Sequence, residues 1–179
     1  ERVQTVKEHL YGTAELAGSF AEKFGKKEWG YCCGILHDLG KYSKEFQRKI
    51  QNDTSERVDH STAGAKVCNE KGGYYSILSY CIAGHHAGLP DWSSAEGAGR
   101  SSLQFQQTQV KDLNDIARFI SDNVESSKPG ASPWKFAKGI DMSLWIRMLY
   151  SSLVDADYLD TEAYMDNDKA NNRGGYCSM

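Results

Sequence analysis

The chain has 179 residues, of which 40% are hydrophobic and 25% charged. These are globular values; they exclude a disordered or fibrous chain, and no apolar run approaches the ~20 residues that span a bilayer. A net charge of −3 excludes nucleic-acid binding by bulk charge alone, so such a substrate would need a local basic patch, metal ions or a partner. Four of the five cysteines, Cys32, Cys33, Cys68 and Cys81, fall in helical patterns and none forms a CxxC pair. They read as small buried hydrophobes. With no charged-then-apolar leader, the expectation is a reducing, cytoplasmic setting and no membrane contact.

Val6, Leu10, Ala14, Ala17, Ala21 and Phe24 recur at three- and four-residue steps and predict a first helix over about Thr5 to Phe24. His9 lies on the adjoining strip, at the edge of the core. A second helix is expected from Lys27 to Leu39, apolar on nearly all sides through Trp29, Cys32, Cys33, Leu36 and Leu39, and therefore central. Gly40 reads as its terminator. A short helix follows, with Ser43 as N-cap and Phe46 and Ile50 facing inward. The next helix starts near Asp59-His60-Ser61-Thr62, where Asp or Ser can cap free amides, and Gly72-Gly73 stops it.

Tyr74 to His86 predicts another helix. His85 shares its apolar face with Ile77, Leu78, Cys81 and Ile82, and His86 is turned away by ~100°. Ala87 to Ser102 reads as a long loop with Trp92, and Leu103 to Val124 as a helix. Ser126 to Gly139 reads as a second loop, and Met142 to Met165 as the last strong helix. Asn167 to Met179 has the composition of a linker or frayed tail. No segment alternates with a period of two, so the expected fold class is all-α.

The chemistry rests on five histidines and a few aspartates. His37-Asp38 closes an apolar run, His60 opens a helix, His85-His86 ends one, and Asp155 and Asp157 lie inside an apolar helix. A lone His-Asp pair is usually a solvated helix end. An aspartate buried in a helix is costly unless it is paired or metal-bound, and several such anomalies in one small domain fit a metal cluster of imidazoles and carboxylates. Lys41, just past the second helix, fits either a cation at a helix C-terminus or one aimed at a bound phosphate. Lys41, Lys44 and Arg48 share one face, which more often is simply solvated. Ser61 and Thr62 read as capping residues.

The order His9, His37-Asp38, Lys41, His60, His85-His86, Ala156-Asp157 resembles the HD superfamily of metal-dependent phosphohydrolases. The phrases Gly34-Ile35-Leu36-His37-Asp38-Leu39-Gly40-Lys41-Tyr42-Ser43, Asp59-His60-Ser61-Thr62-Ala63-Gly64-Ala65, Ala83-Gly84-His85-His86-Ala87-Gly88 and Ser152-Leu153-Val154-Asp155-Ala156-Asp157 resemble the HD nuclease domain of type I CRISPR nuclease-helicases. The resemblance spans Val6 to Glu162. It implies an HD-domain helical bundle over residues 1–166, followed by a tail over 167–179. It also implies two divalent transition-metal ions (Mn, Fe, Co or Ni rather than Mg). His9, His37, Asp38 and Asp157 would hold one ion, and Asp38, His60, His85 and His86 the other, with Asp38 bridging. Asp157 is preferred over Asp155 because the family pattern places the ligand after an alanine; Asp155 would then orient a histidine or serve packing. Lys41 would act with Asp38 in catalysis.

The implied activity is cleavage of DNA, preferentially single-stranded, by a metal-activated hydroxide in CRISPR interference. The implied partners are a helicase module, fused or separate, and a CRISPR surveillance complex. The rival expectations are an HD phosphohydrolase of free nucleotides and a non-catalytic HD binding module.

Overall fold

The computed structural model describes residues 3–52, 58–93, 99, 101–110, 129–130 and 139–173. Among them there is no strand. Helix α1 spans Val6–Glu22 and α2 spans Lys27–Leu36; a 3₁₀ turn covers Leu39–Tyr42 and α3 follows at Lys44–Asn52. Then come α4 at Ser61–Lys71, α5 at Tyr75–Gly84 and α6 at Leu103–Gln109. The long helix α7 spans Gly139–Met165 and a short α8 Asn167–Asn172. No helix among the described residues is long and apolar enough to cross a membrane.

Local signals set most boundaries. Thr5 caps α1 through a capping box: its hydroxyl accepts from the Glu8 amide at 3.1 Å, and the Glu8 carboxylate accepts from the Thr5 amide at 2.8 Å. The Ser43 hydroxyl accepts from the Phe46 amide at the start of α3. Asp59 accepts from the amides of Ser61 and Thr62, both at 3.1 Å, at the start of α4. Gly72, at φ 67°, ends that helix.

The core is the contact of α1 with α2 and α7, and of α4 with α5. Leu10, Trp29, Ile35, Leu36, Leu78, Ile82, Leu149 and Leu153 are fully buried, and Trp29 meets Trp145 edge-on with ring centroids 4.8 Å apart. The α1–α2 interface is built from small residues. A Cβ on Gly30 would overlap the Ala17 carbonyl, and one on Gly34 would overlap the Ala14 backbone. Ala14, Ala17 and Ala21 face these glycines and are fully buried. The two backbones therefore approach as larger residues would forbid, and this brings His9 of α1 beside the end of α2.

Five expectations need correction. Helix α2 stops at Leu36, so His37 and Asp38 lie in the turn beyond it. Gly40 is not the terminator; it sits in the 3₁₀ turn, where a Cβ would overlap the His60 backbone. Ile50 is 58% exposed, and only Phe46 of α3 faces inward. The helix from Leu103 ends at Gln109, where Val110 turns extended with ψ 110°; residues 111–128 lie outside the described set. The tail-like composition conceals α8. Its N-cap is Asp166, and Lys169 and Arg173 both bind Glu162 of α7, each at 2.8 Å. Residues 174–179 lie outside the described residues, as does most of the expected Ser126 to Gly139 loop.

Gly34→Ala tests the α1–α2 packing. Alanine favours a helix over glycine by ~1 kcal/mol, but the collision here is with backbone, and overpacking costs ~1–3 kcal/mol. The expected outcome is a lower urea midpoint, corresponding to a loss of about 2 kcal/mol; an unchanged or raised midpoint would contradict the packing account.

Candidate metal centre

The expected ligand set converges. His9, His37, Asp38 and Asp157 form one group, and Asp38, His60, His85 and His86 a second, with the donor atoms of each group all within 4.8 Å of one another. Five segments supply them: α1, the turn after α2, the residue before α4, the turn after α5, and α7.

Asp38 stands between the groups, and its two oxygens divide between them. Oδ2 lies 3.4 Å from His9 Nε2 and 3.2 Å from His37 Nε2. Oδ1 lies 3.3 Å from His85 Nε2 and 3.5 Å from His60 Nε2. Asp157 Oδ1 lies 3.2 Å from His9 Nε2 and 3.6 Å from His37 Nε2. In the second group, the Nε2 atoms of His60 and His86 are 2.8 Å apart.

Each buried imidazole is aimed by its other nitrogen. His37 Nδ1 donates to the Gly34 carbonyl at 2.7 Å and His85 Nδ1 to the Ile82 carbonyl at 2.6 Å. His60 Nδ1 donates to the Val58 carbonyl at 3.3 Å. A carbonyl only accepts, so these rings carry the Nδ1 proton and turn Nε2 to the centre. His9 Nδ1 donates to Asp160 Oδ2 at 2.7 Å, with the same result.

The fit to a cation is visible in what the fold leaves unmatched. The Nε2 atoms of His9, His37 and His85 and both oxygens of Asp38 are buried, and none makes an aligned hydrogen bond. Buried polar atoms are normally satisfied, and a cluster that is not calls for an ion. Three imidazoles and a carboxylate turned toward one another make a donor set suited to a divalent transition metal.

The two groups differ electrostatically. Burial lowers the His9 pKa, but the carboxylates of Asp157, Asp160 and Asp38 outweigh it and raise it to about 10. Burial likewise opposes charge on His37, yet Asp38 and Asp157 raise it to about 9. In the second group, burial and the neighbouring imidazoles of His85 and His60 hold His86 down at about 4. Burial also lowers His60. Burial pushes the Asp38 carboxyl up, but the surrounding histidines hold it well below the usual carboxylate range; Asp157 is likewise depressed by His37 and His9.

Lys41 lies at the mouth of the centre, and its ammonium contacts Asp38 Oδ2. Asp155 is exposed and does not join either group. Ser61 and Thr62 are bound to Asp59 as part of the helix cap. Trp92 is 40% exposed, with its ring centroid 6.3 Å from that of Tyr80.

The sequence reading missed Asp160. It lies one turn beyond Asp157 on α7, accepts from His9 and from the Gln4 amide at 2.8 Å, and fits because Gly12 has no Cβ to overlap it. The three-residue step from Asp157 was the available signal, since i and i+3 share a helix face.

Comparison with known protein families matches residues 6–125 to the HD domain. The match covers more than half of the chain, and the chain belongs to the HD domain family, whose members are metal-dependent hydrolases that bind divalent metals. The matched span ends before α7, so the positions of Asp157 and Asp160 are known from the structure alone. No curated protein matches the chain.

Asp160→Ala frees the His9 ring and is expected to weaken Mn²⁺ binding by about 10–100-fold, as loss of a carboxylate behind a ligating histidine does. Gly12→Ala, which displaces the same carboxylate, should act in the same direction; unchanged affinity in both variants contradicts the role. Any cation at the first group also competes with protons on His9 and His37. Calorimetry at pH 7.5 in buffers of different ionisation enthalpy should show about two protons released on Mn²⁺ binding, with affinity falling as pH falls. Absence of proton release would contradict the charged state of these rings.

Proposed function

We propose that the chain is a metal-dependent nuclease with a two-ion centre, cleaving DNA, preferentially single-stranded. The observation that carries the reading is the division of the Asp38 oxygens between two donor groups. In this reading His9, His37, Asp38 and Asp157 hold one ion and Asp38, His60, His85 and His86 the other. A pair of bound divalent ions supplies an activated water and a clamp for the oxygens of an in-line phosphoryl displacement. The donors are mostly imidazole, which favours Mn, Fe, Co or Ni over Mg.

The protein's own residues do the rest. The backbone carbonyls of Gly34, Ile82 and Val58 and the Asp160 carboxylate fix ring orientation before substrate arrives, so no reorganisation is needed at the moment of reaction. Lys41 is positioned to leave Asp38 for an incoming phosphate and to balance charge that develops there. DNA as substrate is supported by the resemblance of the four site phrases to the type I CRISPR nuclease domain. A helicase module and a surveillance complex as partners belong to the same proposal, and the net charge of −3 suits a chain to which the strand is delivered. Hydrolysis of free nucleotides is the second reading, favoured by HD-family membership itself.

The test is to strip the protein with chelator, restore Mn²⁺, Co²⁺, Ni²⁺, Fe²⁺, Zn²⁺ or Mg²⁺ in turn, and assay circular single-stranded DNA beside nucleotides. The expected result is DNA nicking supported best by a transition metal, with nucleotides intact. Nucleotide hydrolysis with intact DNA would establish the second reading, and inactivity with every ion would leave a binding module. Asp38→Ala should abolish cleavage, and equal cleavage by that variant would sink the two-ion mechanism. Lys41→Met should keep its metal while kcat falls roughly 10²-fold, the scale of losing one charge-stabilising group.

A further inference from the structure

A cavity of about 250 Å³ opens beside the metal centre, between the start of α1, helix α3 and α7. His9 and Lys41 are part of its lining. Val6, Phe46 and Ile50 give it an apolar wall, and Gln4 and Thr161 supply amide and hydroxyl groups. Phe46 is 8% exposed, and its ring meets His60 edge-on with centroids 5.1 Å apart. The cavity thus shares residues with the first donor group and touches the second through Phe46.

We propose that this cavity seats one nucleoside of the phosphate-ester substrate, adjacent to the phosphate that reacts. The inference rests on the phosphohydrolase reading of the centre. A ligand that fits must present an anion to Lys41 and an uncharged, largely flat body to Val6, Phe46 and Ile50, with polar edges toward Gln4 and Thr161. A nucleotide has this combination. The volume is below the ~300–1,000 Å³ typical of pockets that enclose a drug-sized ligand, so it admits a single nucleoside and leaves the rest of a strand outside. On the side of the second group His86 is exposed.

The test titrates Mn²⁺-loaded protein with thymidine 5′-monophosphate and with inorganic phosphate. The nucleotide should bind about tenfold tighter than phosphate, the lower end of what stacking of a base on protein side chains supplies. Thr161 and Ile50 are exposed, so substitution there leaves the core untouched. Thr161→Trp fills the cavity and Ile50→Asp replaces part of its apolar wall with a hydrated charge that disfavours the uncharged nucleoside body; each should remove the nucleotide's advantage and leave inorganic phosphate, which does not enter the cavity, binding as it was. Equal affinity for the two ligands in the unaltered protein overturns the proposal. So does retention of the preference in both variants, or equal loss of both ligands in both. Cleavage of circular single-stranded DNA by the unaltered protein separates the two readings. Cleavage without nucleotide preference overturns the nucleoside seat alone. Nucleotide preference abolished by the variants, without cleavage of DNA or nucleotides, supports the seat and overturns the nuclease reading.

Discussion

Asp38 is fully buried, and a carboxylate removed from water costs several kcal/mol unless opposite charge surrounds it. Here imidazole nitrogens approach both of its oxygens, and the Lys41 ammonium closes the outer side. Much of the fold can be read as the means of keeping those groups near one carboxylate. The glycine and alanine contact of α1 with α2 brings in His9. The absence of a side chain at Gly40 lets the His60 backbone pass. Gly64, where a Cβ would overlap the Leu36 carbonyl, lets α4 dock against the end of α2.

The same carboxylate separates two electrostatic environments. On the Oδ2 side Asp157, Asp160 and Asp38 stabilise charge on His9, and Asp38 and Asp157 stabilise it on His37. On the Oδ1 side the imidazoles face one another with one carboxylate among them; burial lowers the pKa of both His60 and His86, and the neighbouring imidazoles lower both further. Neutral rings can ligate without losing a proton, whereas the rings of the first group must first give theirs up. Ions held by the two groups would therefore differ in how their affinity depends on pH, although both groups share Asp38.

Much of this was legible in the sequence. The apolar period of 3.6 located the helices, and the residues picked out by motif order lie together in two groups that could hold an ion. What was not legible has physical causes. Ile50 matches the helical period of α3, but that helix is short and buries only Phe46, so period alone overstated its inner face. Helix α6 ends at Gln109 although Val110 keeps the apolar pattern; periodicity does not register a change of backbone direction. Gly40 and Gly12 matter for the space they leave, and the neighbours that need that space, His60 and Asp160, are far away in sequence. Asp160 was hidden because its partner His9 lies 151 positions away. The polar stretch after Met165 reads as a tail because α8 has no apolar face; charge pairing with Glu162 holds it.

The central claim is that Asp38 joins two ions into one centre. Stepwise Mn²⁺ titration monitored by electron paramagnetic resonance tests it directly. The account predicts two equivalents bound and, at the second, an exchange-coupled signal replacing that of isolated Mn²⁺. Saturation at one equivalent, or two equivalents that keep the separate six-line signals of uncoupled ions, would contradict it.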